Sequence, residues 1–214
     1  MSKPKVNYNI LSTGSVGNAV RIGEIMVDCG IPFSKMKEEL YKCKVLLITH
    51  IHGDHVKPAT IKKIRAMFPR LFIVSNYEVA QKFPGCIDYV CNAGFEFQTK
   101  VGTITPFECH HDVVTYGYAW KQDGNQILYA TDTCSMADAP EGIKVDYCFL
   151  EANYDEEKLR IIVERENFKT KYGYDVRQGC YRHLSVQACK GFFYSHRADS
   201  DAQLIELHQS SRFY

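Results

Sequence analysis

An apolar run that leads directly into a histidine cluster is the feature that most constrains the fold of this chain. Residues 44–50 read KVLLITH, a strand-like run, and residues 51–55 continue as IHGDH. Successive residues of an extended chain point to opposite sides, so His50 and His52 can face one point while Asp54 and His55 turn toward another. Imidazole and carboxylate groups are ligands of zinc and similar divalent ions. The cluster therefore predicts a metal site where a buried strand ends.

Two ions need more ligands than this cluster supplies, and other apolar runs end in suitable side chains. TITPFECHHD contains His110 and His111, QILYATD ends with Asp132, and QLIELH ends with His208. If these strands end at one edge of the fold, their terminal side chains meet the residue 50–55 cluster. The pattern predicts a dinuclear metal centre built from the ends of distant strands.

The spacing of apolar residues predicts strands that alternate with helices. Helical spacing covers residues 58–68, 77–83, 155–167 and 184–196, and strand-like runs dominate the first half. The segment YAWKQDGNQILYA carries Asp-Gly between two apolar runs, which indicates a β-hairpin. This pattern favours an α/β (α+β) fold of two packed mixed sheets flanked by helices. Because no Pro-, Gly- or Ser-rich linker divides the chain, we expect a single domain over residues 1–214.

Composition limits the partners and the cellular setting that we expect. Lys plus Arg number 26 and Asp plus Glu number 25, so the formal net charge of +1 provides no global field that attracts nucleic acid or membrane. The 9 cysteines include no CxxC pair, which indicates reduced, structural thiols and a cytoplasmic protein. No apolar segment reaches the length of a membrane helix, so we expect no membrane partner.

The HIHGDH motif resembles the HxHxDH signature of the metallo-β-lactamase-fold hydrolases, and the resemblance covers nearly the whole chain. It implies an αββα sandwich that binds two divalent metal ions, zinc or manganese. The implied ligands are His50, His52 and His111 on the first ion, Asp54, His55 and His208 on the second, and Asp132 as a bridge between them.

Three assignments around this implied site have alternatives. His111 rather than His110 matches the family pattern of a histidine just before a Gly-aromatic strand. His183 is an alternative to His208 as the last metal ligand. Asp28, in IMVDCG, matches a family strand end whose aspartate orients ligand histidines, although an aspartate there also suits a simple turn.

The resemblance also indicates a branch of the family. YATDT supplies an aspartate where class B β-lactamases have a cysteine, so both ions would have oxygen and nitrogen ligands suited to a phosphodiester. Glu151 in FLEAN and His183 in YRHLS resemble a pair that protonates the leaving oxygen in ribonuclease Z-like phosphodiesterases. The stretches STGSVGN, LEANYD and HLS resemble a bacterial exonuclease-like branch, which has a histidine where Tyr154 stands. The implied catalytic residues are His183, Glu151 and Asp54, the last balancing the charge of the ions.

These residues predict a dinuclear phosphodiester hydrolase that activates a water molecule between its two ions. The expected substrate is a nucleic acid end or a nucleotide, with a small cyclic nucleotide or a thioesterase- or glyoxalase-type carbonyl substrate as alternatives. Residues 167–197 interleave basic and aromatic side chains near His183, which is typical of phosphate and base binding, although a solvated loop has the same composition. Related folds often pair, so the resemblance also admits a homodimer.

Overall fold

Two six-stranded sheets pack face to face in the computed structural model, which describes residues 3–165 and 179–210. The first sheet contains, as hydrogen-bonded neighbours in chain order, β1 (Tyr8–Ser12), β2 (Ala19–Ile22), β3 (Ile25–Val27), β4 (Val45–Leu47), β5 (Phe72–Ser75) and β6 (Tyr89–Val90). The second contains, in the same manner, β7 (Phe97–Thr99), β8 (Gly102–Cys109), β9 (Thr115–Gln122), β10 (Asn125–Ala130), β11 (Tyr147–Glu151) and β12 (Gln203–Leu207). Antiparallel pairs give way to parallel pairs from β3 onward in the first sheet and from β10 onward in the second. The predicted mixed sheets are confirmed.

Helices cover the outer faces of both sheets. The helices whose bounds the described residues give are α1 (Phe33–Leu40), α2 (Pro58–Met67), α3 (Tyr77–Lys82), α4 (Glu156–Arg165) and α5 (Val186–His196). Met36 of α1 and Ile61 of α2 share a buried cluster with residues of the first sheet. Phe193 of α5 packs with Leu150 of the second sheet. The layers therefore follow the predicted αββα order.

The strand that leads to the histidine cluster is buried on both faces, which explains its unbroken apolar run. Val45 and Leu47 of β4 point into the core between the sheets, where they join Tyr118 from β9. Leu46 and Ile48 point the other way and pack under the helices. Parallel strands covered on both faces carry continuous apolar runs rather than an alternating pattern.

Tyr154, the residue that departs from the exonuclease-like pattern, has a packing role. It is buried and clusters with Leu159 of α4 and with Cys180. Its backbone carbonyl accepts a hydrogen bond of 2.8 Å from the N–H of Val186, at the start of α5. The position therefore connects the segment after β11 to α5.

The cysteines behave as apolar core residues. All 9 are free, and only Cys134 is exposed. Burial raises the pKa of the Cys91 thiol to about 11 and that of Cys189 to about 12, so both are protonated at neutral pH. Within the described ranges, none of the helices has both the length and the apolar character needed to cross a membrane.

Candidate metal centre

The candidate site lies at the edge where parallel strands of both sheets end. In the first sheet, Asp28 directly follows β3 and His50 comes shortly after β4. In the second sheet, Asp132 comes shortly after β10, Glu151 ends β11 and His208 follows β12. Open sheets of this kind bind their ligands at the carboxyl ends of parallel strands.

His50, His52 and His111 form the first ligand cluster. One candidate ligand atom from each residue lies within 4.8 Å of the other two. His50 Nε2 is 3.1 Å from His52 Nδ1. His50 is buried, whereas 36% of the His52 side chain is exposed at the mouth of the site. The structure thus brings together the three histidines that the resemblance implies for the first ion.

Asp54, His55 and His208 form the second ligand cluster, again within 4.8 Å of one another. Asp132 lies between the two clusters, and its oxygens divide between them. Its Oδ2 is 2.9 Å from His55 Nε2 and 3.5 Å from His208 Nε2. Its Oδ1 is 3.9 Å from His111 Nε2 in the first cluster. Asp132 therefore faces both clusters.

Asp28 contacts His55 through Nδ1, the ring nitrogen on the side away from Asp132. The Asp28 side chain is fully buried, and its Oδ2 lies 2.7 Å from His55 Nδ1. Its Oδ1 accepts a hydrogen bond of 2.8 Å from the N–H of Thr49, whose hydroxyl is 3.0 Å from His50 Nδ1. Because Nδ1 of His55 contacts the Asp28 carboxylate, Nε2 is the ring nitrogen that faces the cluster. Of the two readings of Asp28, the geometry favours the orienting residue.

Glu151 joins two histidines beneath the site. Its buried Oε1 lies 2.6 Å from His183 Nδ1 and 3.0 Å from His208 Nδ1. Its Oε2 accepts hydrogen bonds from the backbone N–H groups of Thr133 and Leu184, at 3.0 and 3.4 Å. Both histidines face Glu151 with Nδ1, so Nε2 of His208 is the ring nitrogen that faces the cluster.

The same contacts separate the two candidates for the last metal ligand. His183 and His208 both lie within 4.8 Å of Asp132 and Glu151. His183 approaches Asp132 through Nδ1, at 3.8 Å, and this nitrogen already donates to Glu151. His208 approaches Asp132 through Nε2, which Glu151 leaves free. The geometry therefore favours His208 as a ligand and His183 as the partner of Glu151.

Burial and neighbouring charge set the protonation of the clusters. Burial lowers the pKa of His50 well below its usual value, and it also lowers the pKa of His111. Burial acts against charge on His55 as well, but the carboxylates of Asp132 and Asp28 outweigh it and raise the His55 pKa well above its usual value. Burial alone would raise the pKa of Asp132, whereas the imidazoles around it, His55 first, hold that pKa well below its usual range. Neutral imidazoles and an ionised carboxylate are the forms that bind cations, so a bound cation would displace the proton that Asp132 and Asp28 favour on His55.

The donor set fits divalent metal ions. Among the described residues, His111 Nδ1 and His208 Nε2 are buried without a hydrogen-bond partner, and the buried Asp132 Oδ2 faces the imidazole nitrogens of His55 and His208. Leaving such an atom unsatisfied costs about 1–3 kcal/mol. Asp132 Oδ2 and His208 Nε2 face each other at 3.5 Å, and a cation between them would satisfy both lone pairs. Nitrogen and oxygen ligands of this kind suit zinc or manganese.

The basic segment predicted to bind phosphate reaches the site only in part. Arg182 lies at the mouth, where its Nη1 donates to Asp112 Oδ2 at 3.2 Å, and Asp112 Oδ1 is 3.5 Å from His52 Nε2. Arg197 follows α5, which carries the chain about 16 Å away, and its backbone pairs with Val145 ahead of β11. Arg197 therefore lies at the opposite end of the sheet. The basic residues and tyrosines of the segment 167–197 that lie outside the described residues are Lys169, Lys171, Tyr172, Tyr174 and Arg177.

Four polar residues around the ligands have no local sequence signal of a metal site. Thr49 contacts Asp28, Asn18 contacts Asp54, and Thr13 and Asn153 contact the backbone of His208. Asn18 and Thr13 lie in STGSVGN, and Asn153 lies in LEANYD. The only signal for these three was the similarity of the two stretches to the exonuclease-like branch.

No protein-family model matches the sequence, and no curated protein matches it. Solved structures do match. The metallo-β-lactamase fold protein YhfI from Bacillus subtilis is 16% identical, with a TM-score of 0.69 over 95% of this chain and 85% of that one. The short form of human tRNase Z is 17% identical, with a TM-score of 0.65 over 96% of this chain and 93% of that one. A diphosphatase of the PhnP family is 15% identical, with a TM-score of 0.64 over 96% and 87%.

These likenesses concern architecture, because the identities are low while the matched part is nearly the whole chain. The shared architecture is the pair of mixed sheets with helices on the outer faces. The expectation drawn from the HIHGDH motif is confirmed at the level of the fold. The chain has the metallo-β-lactamase fold.

Proposed function

We propose that the protein is a hydrolase of phosphodiester bonds that depends on two divalent metal ions. The observation that carries the proposal is the position of Asp132, whose two oxygens face two separate ligand clusters. A carboxylate shared in this way suits a two-ion phosphodiesterase. Two similar structures are named as a tRNase and a diphosphatase, but that likeness concerns the fold. The substrate class therefore rests on the site itself.

The ligands divide between the two ions as the clusters do. His50, His52 and His111 would hold the first ion, Asp54, His55 and His208 the second, with Asp132 shared. When bound, two such ions supply Lewis-acid activation of water and neutralise charge on a phosphoryl group. Asp54 has a second role, since its carboxylate offsets the positive charge that the site would hold.

His183 supplies the proton for the leaving oxygen in this proposal. Its Nδ1 donates to the buried carboxylate of Glu151 at 2.6 Å, so Nε2 is the nitrogen that remains for the substrate. The side chain is 19% exposed, which leaves it accessible from the mouth of the site. Glu151 stabilises the protonated ring and orients it, as a general acid requires.

Arg182 supports a phosphate-containing substrate such as a nucleic acid end or a nucleotide. Its side chain is 58% exposed at the mouth, next to His183 in the chain, and it pairs there with Asp112. A guanidinium group binds phosphate oxygens with paired, charge-assisted hydrogen bonds. Arg182 can therefore bind a phosphate beside the bond that is cleaved.

Metal analysis combined with a substrate screen tests the proposal. Wild-type protein should bind two divalent ions and hydrolyse bis(p-nitrophenyl) phosphate, with cyclic nucleotides and end-labelled DNA and RNA assayed in parallel. Asp132→Ala should lose metal and activity together, because both clusters lose their shared ligand. His183→Ala should keep both ions and lose about 10²- to 10⁴-fold in kcat.

His110→Ala is the matched control for His183→Ala. His110 is an exposed neighbour of the site that pairs with Asp138 at 2.5 Å, so its loss should leave metal content and kcat unchanged. If His183→Ala empties a metal site, the division of roles between His183 and His208 is wrong. Hydrolysis of thioesters with no phosphodiester cleavage would contradict the substrate class.

A further inference from the structure

The loop of residues 12–18, STGSVGN, contacts both chain segments that carry the second ligand cluster. At its start, the hydroxyl of Thr13 accepts a hydrogen bond of 2.8 Å from the backbone N–H of His208, 195 residues away. At its end, the N–H of Asn18 donates to the carbonyl of Asp54 at 2.6 Å. The side-chain Nδ2 of Asn18 lies 3.3 Å from the same carbonyl and 2.8 Å from His55 Nε2. One short loop therefore touches all three members of the cluster.

The 12–18 loop is closed by its own hydrogen bonds. The buried Asn18 side chain accepts from the N–H of Gly14 at 2.8 Å and donates to the carbonyl of Gly14 at 3.1 Å. Gly17 donates to the same carbonyl at 3.0 Å, and its φ of 142° suits glycine. Because the two ends of the loop are tied together, the position of Thr13 is fixed relative to that of Asn18.

The backbone of His208 depends on such contacts. Its φ of 52° is a left-handed conformation that a histidine adopts only when its surroundings impose it. Asn153 Nδ2 donates to the His208 carbonyl at 2.8 Å, and Thr13 accepts from its N–H. Asn153 follows β11 of the second sheet, whereas Thr13 follows β1 of the first. Of these two hydrogen bonds, the one to Thr13 relates His208 to the opposite sheet, which also carries Asp54 and His55.

We propose that Thr13 and Asn18 are positioning residues for the second metal ion, and that they fix His208 relative to Asp54 and His55. The inference rests on the proposed function, since it requires that this cluster binds an ion. Ligands held in place before binding lose less freedom when the ion arrives, so affinity rises with preorganisation. Loss of a contact that orients a metal ligand typically weakens metal affinity about 10- to 100-fold.

Thr13→Val tests the inference, because it removes the hydroxyl acceptor and keeps nearly the same volume. The metal-free protein is titrated with Zn²⁺ against a chromophoric chelator, which gives one affinity for each ion. We expect the affinity for the second ion, at Asp54, His55 and His208, to fall about 10- to 100-fold, while the affinity for the first ion stays unchanged. Asn18→Ala should weaken the second affinity in the same selective way.

Two control variants separate positioning from a general loss of structure. Thr13→Ser keeps the hydroxyl and should restore the second affinity. Thr105→Val, on β8 and away from the site, removes a strand hydroxyl that contacts Glu96 and should change neither affinity. Equal weakening of both affinities in Thr13→Val, or no change in either, overturns the inference alone. A wild-type protein that binds no Zn²⁺ overturns the proposed function and the inference with it.

Discussion

At the scale of single residues, three of the four described non-glycine residues with a left-handed backbone lie at the candidate site, and the fourth, Asp123, lies in the hairpin between β9 and β10. Asp28, Asp132 and His208 have φ angles of 63°, 55° and 52°, in a region that residues other than glycine rarely adopt. Each follows the end of a strand, so the turn directs its side chain over the edge of the sheet. A strained residue of this kind costs about 1–3 kcal/mol and persists where surrounding contacts impose it. The three strained residues thus occur where side chains from both sheets must converge.

Gly30 allows the loop of residues 50–55 to lie close to the end of β3. A Cβ at Gly30 would overlap the backbone carbonyl of Asp54, and backbone cannot move aside as a flexible side chain does. We expect Gly30→Ala to displace Asp54 and His55, to lower the free energy of unfolding by about 2–3 kcal/mol, and to weaken metal binding. Denaturant titration and metal analysis measure the two effects.

Gly53→Ala is the control for this substitution. Gly53 lies in the same loop, and a Cβ there would meet no heavy atom within 4 Å. The change should alter the free energy of unfolding by less than about 0.5 kcal/mol. If Gly30→Ala were as mild as Gly53→Ala, close backbone approach would not be what holds the loop.

At the scale of elements, a buried ion pair connects α1 to the first sheet. The Arg21 side chain on β2 is only 8% exposed, and its Nε donates to Glu39 near the end of α1. Its Nη2 donates to Asn7 Oδ1, and its Nη1 donates to the carbonyl of Gly23. Lys42 also donates to Glu39 at 2.8 Å from the surface. Glu39 therefore provides the counter-charge for a buried arginine.

Glu39→Gln should destabilise the protein because it leaves the Arg21 charge uncompensated. We expect a loss of about 2 kcal/mol at neutral pH in urea unfolding. Hydrogen bonds from Lys42 and Arg21 hold the pKa of Glu39 below its usual value. The folded-state pKa is thus below the unfolded one, so the stabilisation is present above about pH 4.3 and is lost as the pH falls through the folded pKa.

Lys42→Met is the comparison for this ion pair, since Lys42 is 57% exposed. An exposed partner should contribute less than about 1 kcal/mol. At pH 7, Glu39→Gln should therefore lower the free energy of unfolding by more than Lys42→Met does. In acid, the difference in this free energy between wild type and Glu39→Gln should become smaller. A difference that stays constant from pH 7 to acid would show that the Glu39 charge is not the source.

Elements with a local pattern could be predicted from the sequence, and those that depend on tertiary contacts could not. The Asp-Gly hairpin between β9 and β10 is present, with Asp123 and Gly124 at φ angles of 51° and 78°. α1 was not predicted, because it has 8 residues, follows Pro32 and lacks a side-chain cap. Its apolar residues Phe33 and Met36 are buried through packing with residues of the first sheet, which is a tertiary contact.

The same distinction applies to the site. Candidate ligands such as His111 and Asp132 were predictable because each ends an apolar strand, and strand ends converge. Thr13 and Thr49 were not, because a hydroxyl that supports a ligand from a distant segment leaves no periodic trace. The basic segment was misjudged at Arg197, since composition does not reveal that a helix carries the residue to the opposite end of the sheet.

At the scale of the whole molecule, the site depends on how the two sheets are joined. The hydroxyl of Tyr118, on β9, donates to the carbonyl of Ile48 at 2.8 Å, just before His50. The N–H of Tyr116 donates to the carbonyl of Thr49 at 3.1 Å. These hydrogen bonds join the second sheet to the residues just after β4. They therefore fix the candidate ligands of one sheet relative to those of the other.

The charge of the whole molecule predicts how its activity responds to salt. The formal net charge is +1. The described part of the segment 167–197 contains the basic residues Arg182, Lys190 and Arg197, and of these Arg182 lies at the mouth of the site. Each neutralised phosphate contributes about 0.7–0.9 to the slope of log affinity against log salt. With one or two phosphate contacts, we expect the logarithm of KM to rise with a slope of about 1–2 between about 50 and about 200 mM salt.

Comparing a dinucleotide with a long single strand makes this salt test selective. If the site holds only the reacting phosphate and one neighbour, both substrates should show the same shallow slope, because phosphates farther along the strand stay in solvent. Arg182→Met removes one phosphate contact and should therefore reduce the slope by roughly 0.7–0.9. A slope of about 5 or more for the long strand alone would instead require an extended basic track, and would contradict a site built for a nucleotide or a strand end.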